Sequence, residues 1–281
     1  MKVAVTGASG FIGRHVLLKL SESSCEITAI TRKSENLSGF KSKIDIMEMD
    51  ISLPLENAYE LIGKPDILIH LAWHGLPNYK SLHHFETELP VQYRFLSGLV
   101  KSGLPNLLVA GTCFEYGMQS GALGEDCEAR PSNPYGFAKD TLRHQLGFLK
   151  HEHPFNLTWA RLFYIYGEGQ SEKSLFPQLK KAVENGDKIF NMSGGEQLRD
   201  YLSVSEVASY LVSLAMMEKD IGVVNVCSGK PVSVRKLVEN WIAEYSWSIK
   251  LNLGYYHYAD YEPMNFWGDN SKFQKLLRES E

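Results

Sequence analysis

Short apolar runs alternate with stretches of helical period along most of this chain. Lys2-Val3-Ala4-Val5 is one such run, and it passes through Thr6-Gly7-Ala8-Ser9-Gly10-Phe11-Ile12-Gly13 into a helical stretch from Arg14 to Leu20. Runs of this length without polar alternation suit strands buried on both faces. Glu26 to Thr31, Ile44 to Met49, Asp66 to Ala72, Asn106 to Ala110, Leu157 to Leu162 and Gly222 to Cys227 repeat the pattern. Between them, Phe85 to Lys101 predicts a helix interrupted near Pro90. Pro134 to Glu152 predicts another, with proline in the first turn, where the missing N–H has no intrahelical partner to lose.

Strands separated by helices join through right-handed crossovers into a parallel sheet covered on both faces. The expected fold class is therefore α/β, a Rossmann-type doubly wound parallel sheet with a smaller C-terminal substrate-binding domain. Residues 1–166 plus 200–227 make the first domain, and 167–199 plus 228–281 the second. In the second, Ser174 to Asn185 and Pro231 to Tyr245 read as helices and Lys188 to Gln197 as a small strand pair. Ligands in such sheets sit at the carboxyl ends of the strands, where Gly7, Arg32, Ala72, Thr112 and Phe163 fall.

The glycine turn is the first candidate for chemistry. Gly7 allows the tight turn, Gly10 lets the backbone approach a pyrophosphate, and Gly13 permits close packing of helix on strand. The helix N-terminus supplies free N–H groups for the anion. After the second strand, where an acidic residue would hold a ribose 2′-hydroxyl, the chain has Thr31, Arg32 and Lys33. A guanidinium binds a 2′-phosphate that a carboxylate would repel, which favours NADP(H) over NAD(H). A solvated basic turn is the alternative. Asp50 reads as an adenine contact or a strand-end cap.

Composition narrows the class. A net charge of −4 over 281 residues, with no basic tract, argues against a nucleic-acid partner. No apolar run approaches the ~18 residues of a membrane span, and the N-terminus is not a signal peptide. Cys25, Cys113, Cys127 and Cys227 lack zinc or CxxC spacing and read as reduced thiols of a cytoplasmic protein. His83 and His84 lack a third ligand at metal spacing, so no metal is expected. The aromatic residues from Trp241 to Tyr261 read as packing.

Tyr135 and Lys139 lie four residues apart and share a helix face, which makes a proton-transfer pair possible. A free phenol titrates near ~10, and an adjacent ammonium lowers that value. A core tyrosine with a solvated lysine is the alternative for the pair taken alone. Together with the glycine turn, Asp66 to Ala72, Gly111 to Gly117, Asn133 to Lys139, Arg161 to Gly167 and Arg199-Asp200-Tyr201, it makes the chain resemble the extended short-chain dehydrogenase/reductase family. The resemblance covers nearly the whole chain and implies that Thr112, Tyr135 and Lys139 are catalytic. Tyr135 would exchange a proton with a sugar oxygen that Thr112 hydrogen-bonds, and Lys139 would hold the nicotinamide ribose and lower the tyrosine pKa. Fold and resemblance together place Gly7, Ser9, Gly10, Phe11, Ile12, Gly13, Arg32, Lys33, Asp50, Ile51, Leu71, Ala72, Trp73, Tyr135, Lys139 and Phe163 at the cofactor. His74, Cys113, Phe114, Tyr164 and Arg199 are expected at the substrate, a nucleotide-sugar. Arg199 matches the family's diphosphate-binding arginine, with a salt bridge to Asp200 or Glu196 as the alternative.

Departures from the family pattern bear on the reaction. Dehydratases carry Asp-Glu directly after the threonine, where this chain has Cys113 and Phe114, and neither can move a proton as a carboxyl group does. With Arg32, this favours NADPH-dependent reduction of a 4-keto-6-deoxy nucleotide-sugar, as in making deoxyhexoses for surface polysaccharide. The alternatives are a 4-epimerase with tightly held NAD and a non-catalytic dinucleotide sensor. A second phosphate-binding arginine of the family is replaced around Tyr261-Glu262-Pro263, and Tyr164 stands where asparagine is usual. The resemblance also implies a homodimer through Phe85 to Lys101 and Pro134 to Glu152.

Overall fold

A computed structural model describes residues 1–40 and 44–279; the last two residues of the expected second domain lie outside them. The central sheet has seven strands: β1 (Lys2–Thr6), β2 (Glu26–Thr31), β3 (Asp45–Glu48), β4 (Ile67–His70), β5 (Asn106–Thr112), β6 (Asn156–Leu162) and β7 (Gly222–Val226). They run in the order β7-β6-β5-β4-β1-β2-β3, and every pairing is parallel. This is the doubly wound arrangement the apolar runs predict, with its switch point between β1 and β4. All of β4 and β5 is buried, as strands covered on both faces must be.

Helices α1 (Phe11–Leu20), α2 (Leu89–Lys101), α3 (Pro134–Glu152), α4 (Leu175–Glu184), α5 (Val204–Met216), α6 (Val234–Glu244) and α7 (Ser271–Arg278) complete the main elements. On one face α1 and α5 pack Val16, Leu17, Val207 and Leu211 against Val3, Val5 and Ile69. On the other, α2 and α3 set Leu96, Leu99, Leu142 and Leu146 against Ala4, Leu68 and Trp159. Each such side chain taken from water stabilises the fold by about 1.5–3 kcal/mol. A separate apolar cluster joins Leu179 of α4, Phe190, Met192 and Val234, Leu237, Val238 and Trp241 of α6.

Three local expectations change. Residues 188–197 do not pair with themselves; Ile189–Asn191 pairs in parallel with Lys250–Asn252, a partner far off in sequence. The helix before Lys101 is not broken at Pro90. A π-turn, His84–Glu88, runs into α2, and the proline falls in the first turn of the α segment, where no N–H is required. Helix α6 starts three residues after Pro231, because Val232–Ser233 pairs with Leu198–Arg199 and Ser233 then caps the helix at Lys236 N. Trp241 is core, whereas Tyr255, Tyr256 and Tyr258 are exposed.

Candidate active site

The glycine turn connects β1 to α1 at the switch point. Gly7 has φ +66°, and a Cβ there would come within 2.8 Å of the backbone of Leu71 and Ala72; at Gly13 one would meet Gly7 O at 2.2 Å. Both positions are closed to any side chain, so the first turn of α1 lies against the ends of β1 and β4. Its N-cap, Gly10, makes no side-chain cap bond, which leaves the end open to an anion. A cleft of about 400 Å³ opens here, with Gly7, Ser9, Gly10, Arg32, Asp50 and Trp73 among its lining residues. Ile51, Leu71, Ala72 and His74 line it as well. The donor set and the closed-off glycines fit a dinucleotide.

Some of the expected cofactor residues turn their side chains elsewhere. Phe163 packs in a small core with Tyr116, Cys227 and Phe266. Lys33 is exposed, and its backbone engages Thr31 Oγ1 rather than the cleft. Phe11 and Ile12 open α1, Phe11 packing edge-on against His15 and Ile12 against the core. Asp50 is lowered below its ordinary carboxylate range, first by hydrogen bonds from Ser52 and then by the charge of Arg32.

Thr112 ends β5 and caps the turn Cys113–Tyr116. Its Oγ1 accepts from Phe114 N at 3.3 Å, while Glu115 accepts from Thr112 N at 2.8 Å. The pattern Thr-x-x-Glu is a capping box legible in the sequence. Glu115 is fully buried, accepts from Trp159 Nε1 at 2.9 Å, and pairs with Arg161 Nε at 2.7 Å. Gly111 makes room for this; a Cβ there would strike Trp159 Nε1 at 2.3 Å. Glu115 therefore holds the threonine in place and takes no acid–base part.

Tyr135 and Lys139 both lie on α3, facing the end of β5, and Asn133 caps that helix by accepting from Gly136 N at 2.8 Å. The ammonium does not reach out to lower the phenol. Lys139 Nζ donates to Ala110 O at 2.8 Å and lies 3.9 Å from the centroid of the Trp73 ring. Burial raises the Tyr135 pKa well above its ordinary value, against a hydrogen bond with Thr112 that lowers it. Burial also lowers Lys139 to about 7. A shared helix face was enough to bring the two residues together, but the carbonyl of β5 and the indole engage the ammonium.

Trp73 is central to this arrangement. It lines the cleft, meets Tyr135 edge-on at 5.9 Å, and donates from Nε1 to His84 Nδ1 at 3.1 Å. His84 in turn donates from Nε2 to Asn78 O at 2.9 Å, and its ring lies 5.2 Å from that of Tyr135. Tyr79, Phe114 and Tyr261 surround the remaining side of the phenol region, with Tyr79 at 5.6 Å from Tyr135 and 4.8 Å from Phe114. Of these neighbours, sequence reasoning found Phe114 and missed His84, Tyr79 and Tyr261. Cys113 is buried and pushed up from the ordinary thiol range, chiefly by burial.

A second cleft, of about 270 Å³, includes Tyr164, Gln178, Asn191, Gln197, Arg199 and Glu262 in its wall. Arg199 makes four hydrogen bonds: Nε and Nη2 to Glu262 Oε2 at 3.3 and 3.0 Å, and Nη1 to Leu198 O and Met264 O. Its partner is thus neither Asp200 nor Glu196. Asp200 accepts from Ser228 N and Gly229 N, and Glu196 from the Tyr258 hydroxyl. Tyr164 Oη is buried with no partner, aromatic neighbours Tyr201 and Phe266 being 5.4 and 6.2 Å away.

Sheet order, glycine turn and the grouping of Thr112, Tyr135 and Lys139 at one strand end define a dinucleotide-dependent oxidoreductase fold. The chain belongs to the NAD dependent epimerase/dehydratase family, whose sequence profile matches residues 3–227. It is 32% identical over 270 residues to the dTDP-6-deoxy-L-talose 4-dehydrogenase (NAD(+)) of Aggregatibacter actinomycetemcomitans, covering 95% of this chain and 99% of that one. It is 24% identical to the dTDP-4-dehydro-6-deoxyglucose reductase of Escherichia coli, over 84% of this chain and 79% of the relative. Among solved structures, MoeE5 in complex with UDP-glucuronic acid and NAD superposes with a TM-score of 0.82 at 25% identity, covering 99% of this chain and 93% of that one. The resemblance to the extended short-chain dehydrogenase/reductases is borne out.

Proposed function

We propose that the protein is a nucleotide-sugar 4-oxidoreductase that reduces a 4-keto-6-deoxy sugar with a nicotinamide dinucleotide. The observation that carries this is the joining of Thr112 and a buried, protonated Tyr135 at one strand end. When bound, the dinucleotide supplies the hydride. The chain's part is to give a proton to the sugar oxygen. Burial keeps the phenol protonated but makes it a weak acid, so a positive charge brought beside it must lower its pKa before it gives the proton up. Thr112, whose oxygen accepts from Phe114 N and which also hydrogen-bonds Tyr135, can turn its hydroxyl proton to the developing alkoxide. Lys139, held at Ala110 O beside Trp73, would bind the nicotinamide ribose. The relatives named as acting at C4 of 6-deoxy nucleotide-sugars support the substrate class.

Gly7, Ser9, Gly10 and Arg32 would hold the dinucleotide, and Arg32, at the end of β2 in the cleft wall, supports NADP(H). The NAD(+) in the name of the 32% identical relative favours NAD(H) as a second reading. In that reading Asp50 opposes a 2′-phosphate beside Arg32. Arg32→Asp should shift preference from NADPH to NADH by about tenfold or more; an unchanged ratio of the two kcat/KM values would place the NADP reading out of reach.

Residues 167–199 and 228–279 would seat the nucleotide-sugar, with Tyr164 and Arg199 in the second cleft and His74, Cys113 and Phe114 nearer the sugar. Glu262 must yield Arg199 to a diphosphate. An epimerase remains the alternative, supported by relatives named as 4-epimerases. We place the protein in the cytoplasm, where its four free cysteines stay reduced. We also infer a homodimer through α2 and α3, where Phe137 and Phe148 are exposed. No helix among the described residues is long and apolar enough to cross a membrane. The test is to supply 4-keto-6-deoxy sugars on dTDP, GDP, CDP and UDP with each reduced dinucleotide. Consumption of cofactor with one of them supports the reading. Interconversion of two saturated sugars with no added cofactor contradicts it.

A further inference from the structure

Outside the proton-transfer pair, the side chain with the least explained surroundings is Glu88. It ends the π-turn and is more than nine-tenths buried, with side-chain exposure of 9%. A buried carboxylate needs donors or a cation on both oxygens. Oε1 has one: Gln92 Nε2 donates to it at 2.6 Å. That assignment fixes a longer chain. Gln92 Oε1 must then accept from His70 Nε2, at 2.7 Å, which leaves His70 Nδ1 to accept from Thr6 Oγ1 at 2.8 Å. Glu88 is thus oriented by three buried groups in series, reaching back to β1.

Its other oxygen, Oε2, faces His83. His83 Nε2 lies 3.4 Å away and is itself buried without a hydrogen-bond partner. His74 lies across from His83, ring centroids 5.6 Å apart, and the ligand atoms of His74, His83 and Glu88 all fall within 4.8 Å of one another. The three residues line the first cleft beside Trp73. Sequence spacing could not show this, because His74 comes from the loop after β4 and the other two from a segment folded back over it.

We propose that His74, His83 and Glu88 form a site for a borderline divalent transition-metal ion such as zinc. Two imidazoles and one carboxylate are a donor set zinc takes with a fourth position open to solvent or ligand. Bonds of about 2.0–2.1 Å in a tetrahedron put ligand atoms about 3.3 Å apart. The His83–Glu88 distance already matches this, and the exposed His74 can turn to close the remaining gap. The hydrogen bond from Gln92 to the Glu88 carboxylate is the supporting contact that metal ligands need. An exposed His74 also gives the ion its way in. Bound there, the ion would tie the loop after β4 to the π-turn, and its open side would face the cleft.

The test needs neither sugar nor dinucleotide, so it stands apart from the proposed reaction. Tag-free, metal-stripped full-length protein is titrated with Co²⁺, followed by visible absorption, and then with Zn²⁺ as competitor. The expected result is saturation at one equivalent with an intense tetrahedral band that zinc abolishes. His74→Ala and His83→Ala should each weaken binding at least about tenfold, and Gln92→Met, which keeps all three ligands, by about 10–100-fold. His151→Ala, at a histidine remote in sequence, should leave it unchanged. Circular dichroism confirms that each variant is folded, and the substitution at exposed His74 decides the outcome if a buried one unfolds the chain. Absence of saturable binding, or equal binding by wild type, His74→Ala and His83→Ala, overturns the proposal. Unchanged affinity in Gln92→Met overturns the orientation of Glu88.

Discussion

Glu115–Arg161 and Glu262–Arg199 are both arginine–carboxylate pairs withdrawn from water, yet they serve opposite ends. The first is sealed, with side-chain exposures of 0% and 2%, and Glu115 also satisfies Thr112 N and Trp159 Nε1. The second sits in the wall of a cleft, at 15% and 5%. A sealed pair costs much to break, because the survivor is left charged in a low dielectric. One at a cleft wall can exchange its carboxylate for another anion. Lys139 is a third buried cation with neither arrangement: its direct partners are a carbonyl and an indole, and its pKa falls accordingly.

Breaking the sealed pair should have the largest effect. Glu115→Gln leaves Arg161 uncompensated and should cost about 3–5 kcal/mol, read as a lower urea midpoint. A loss below about 1 kcal/mol would mean that Arg161 finds another partner.

Next comes Lys139→Met. A lysine whose pKa falls from 10.5 to about 7 on folding destabilises the native state, fully below pH 7. Between those values the unfolded chain binds the extra proton, so stability rises with pH across that window. The variant should therefore be more stable than wild type at pH 6, by up to about 5 kcal/mol, and lose that advantage toward pH 10.5. Turnover should fall at every pH. A melting difference independent of pH would show that the lysine is not held as described.

The cleft pair should respond most mildly in stability and most clearly in binding. Glu262→Gln is expected to change stability by less than about 1 kcal/mol and to lower KM for the nucleotide-sugar about tenfold, or 1.4 kcal/mol, with kcat little altered. A raised KM would mean that Glu262 helps hold the substrate and that the two pairs differ less than their exposures suggest.

These contrasts were only partly legible in the sequence. The strands, the glycine turn and the limits of α3 follow from apolar runs, from glycines that only a close approach requires, and from Asn133-Pro134 at the helix start. Local rules hold there because each residue's partners are near in sequence. Thr112-x-x-Glu115 was equally local and could have shown that Glu115 turns inward. Glu262 as the partner of Arg199, separated by 63 residues, could not be read this way. The same holds for Trp73 over Lys139, which depends on how the loop after β4 packs on α3. The Tyr135–Lys139 spacing brought both side chains beside Trp73 but could not show that a carbonyl and an indole engage the ammonium, because helical periodicity fixes a shared face but not what else occupies it.

The central claim is that Tyr135, set at the strand end by Thr112, protonates a sugar oxygen while hydride goes to the same sugar. Its most direct test is isotope transfer from reduced cofactor deuterated at nicotinamide C4, with the accepted 4-keto nucleotide-sugar, in wild type and Tyr135→Phe. Deuterium at sugar C4 in one product, with kcat about 10²–10⁴-fold lower in the variant and cofactor affinity retained, is the predicted result. A saturated product free of deuterium, or full turnover by Tyr135→Phe, would contradict it.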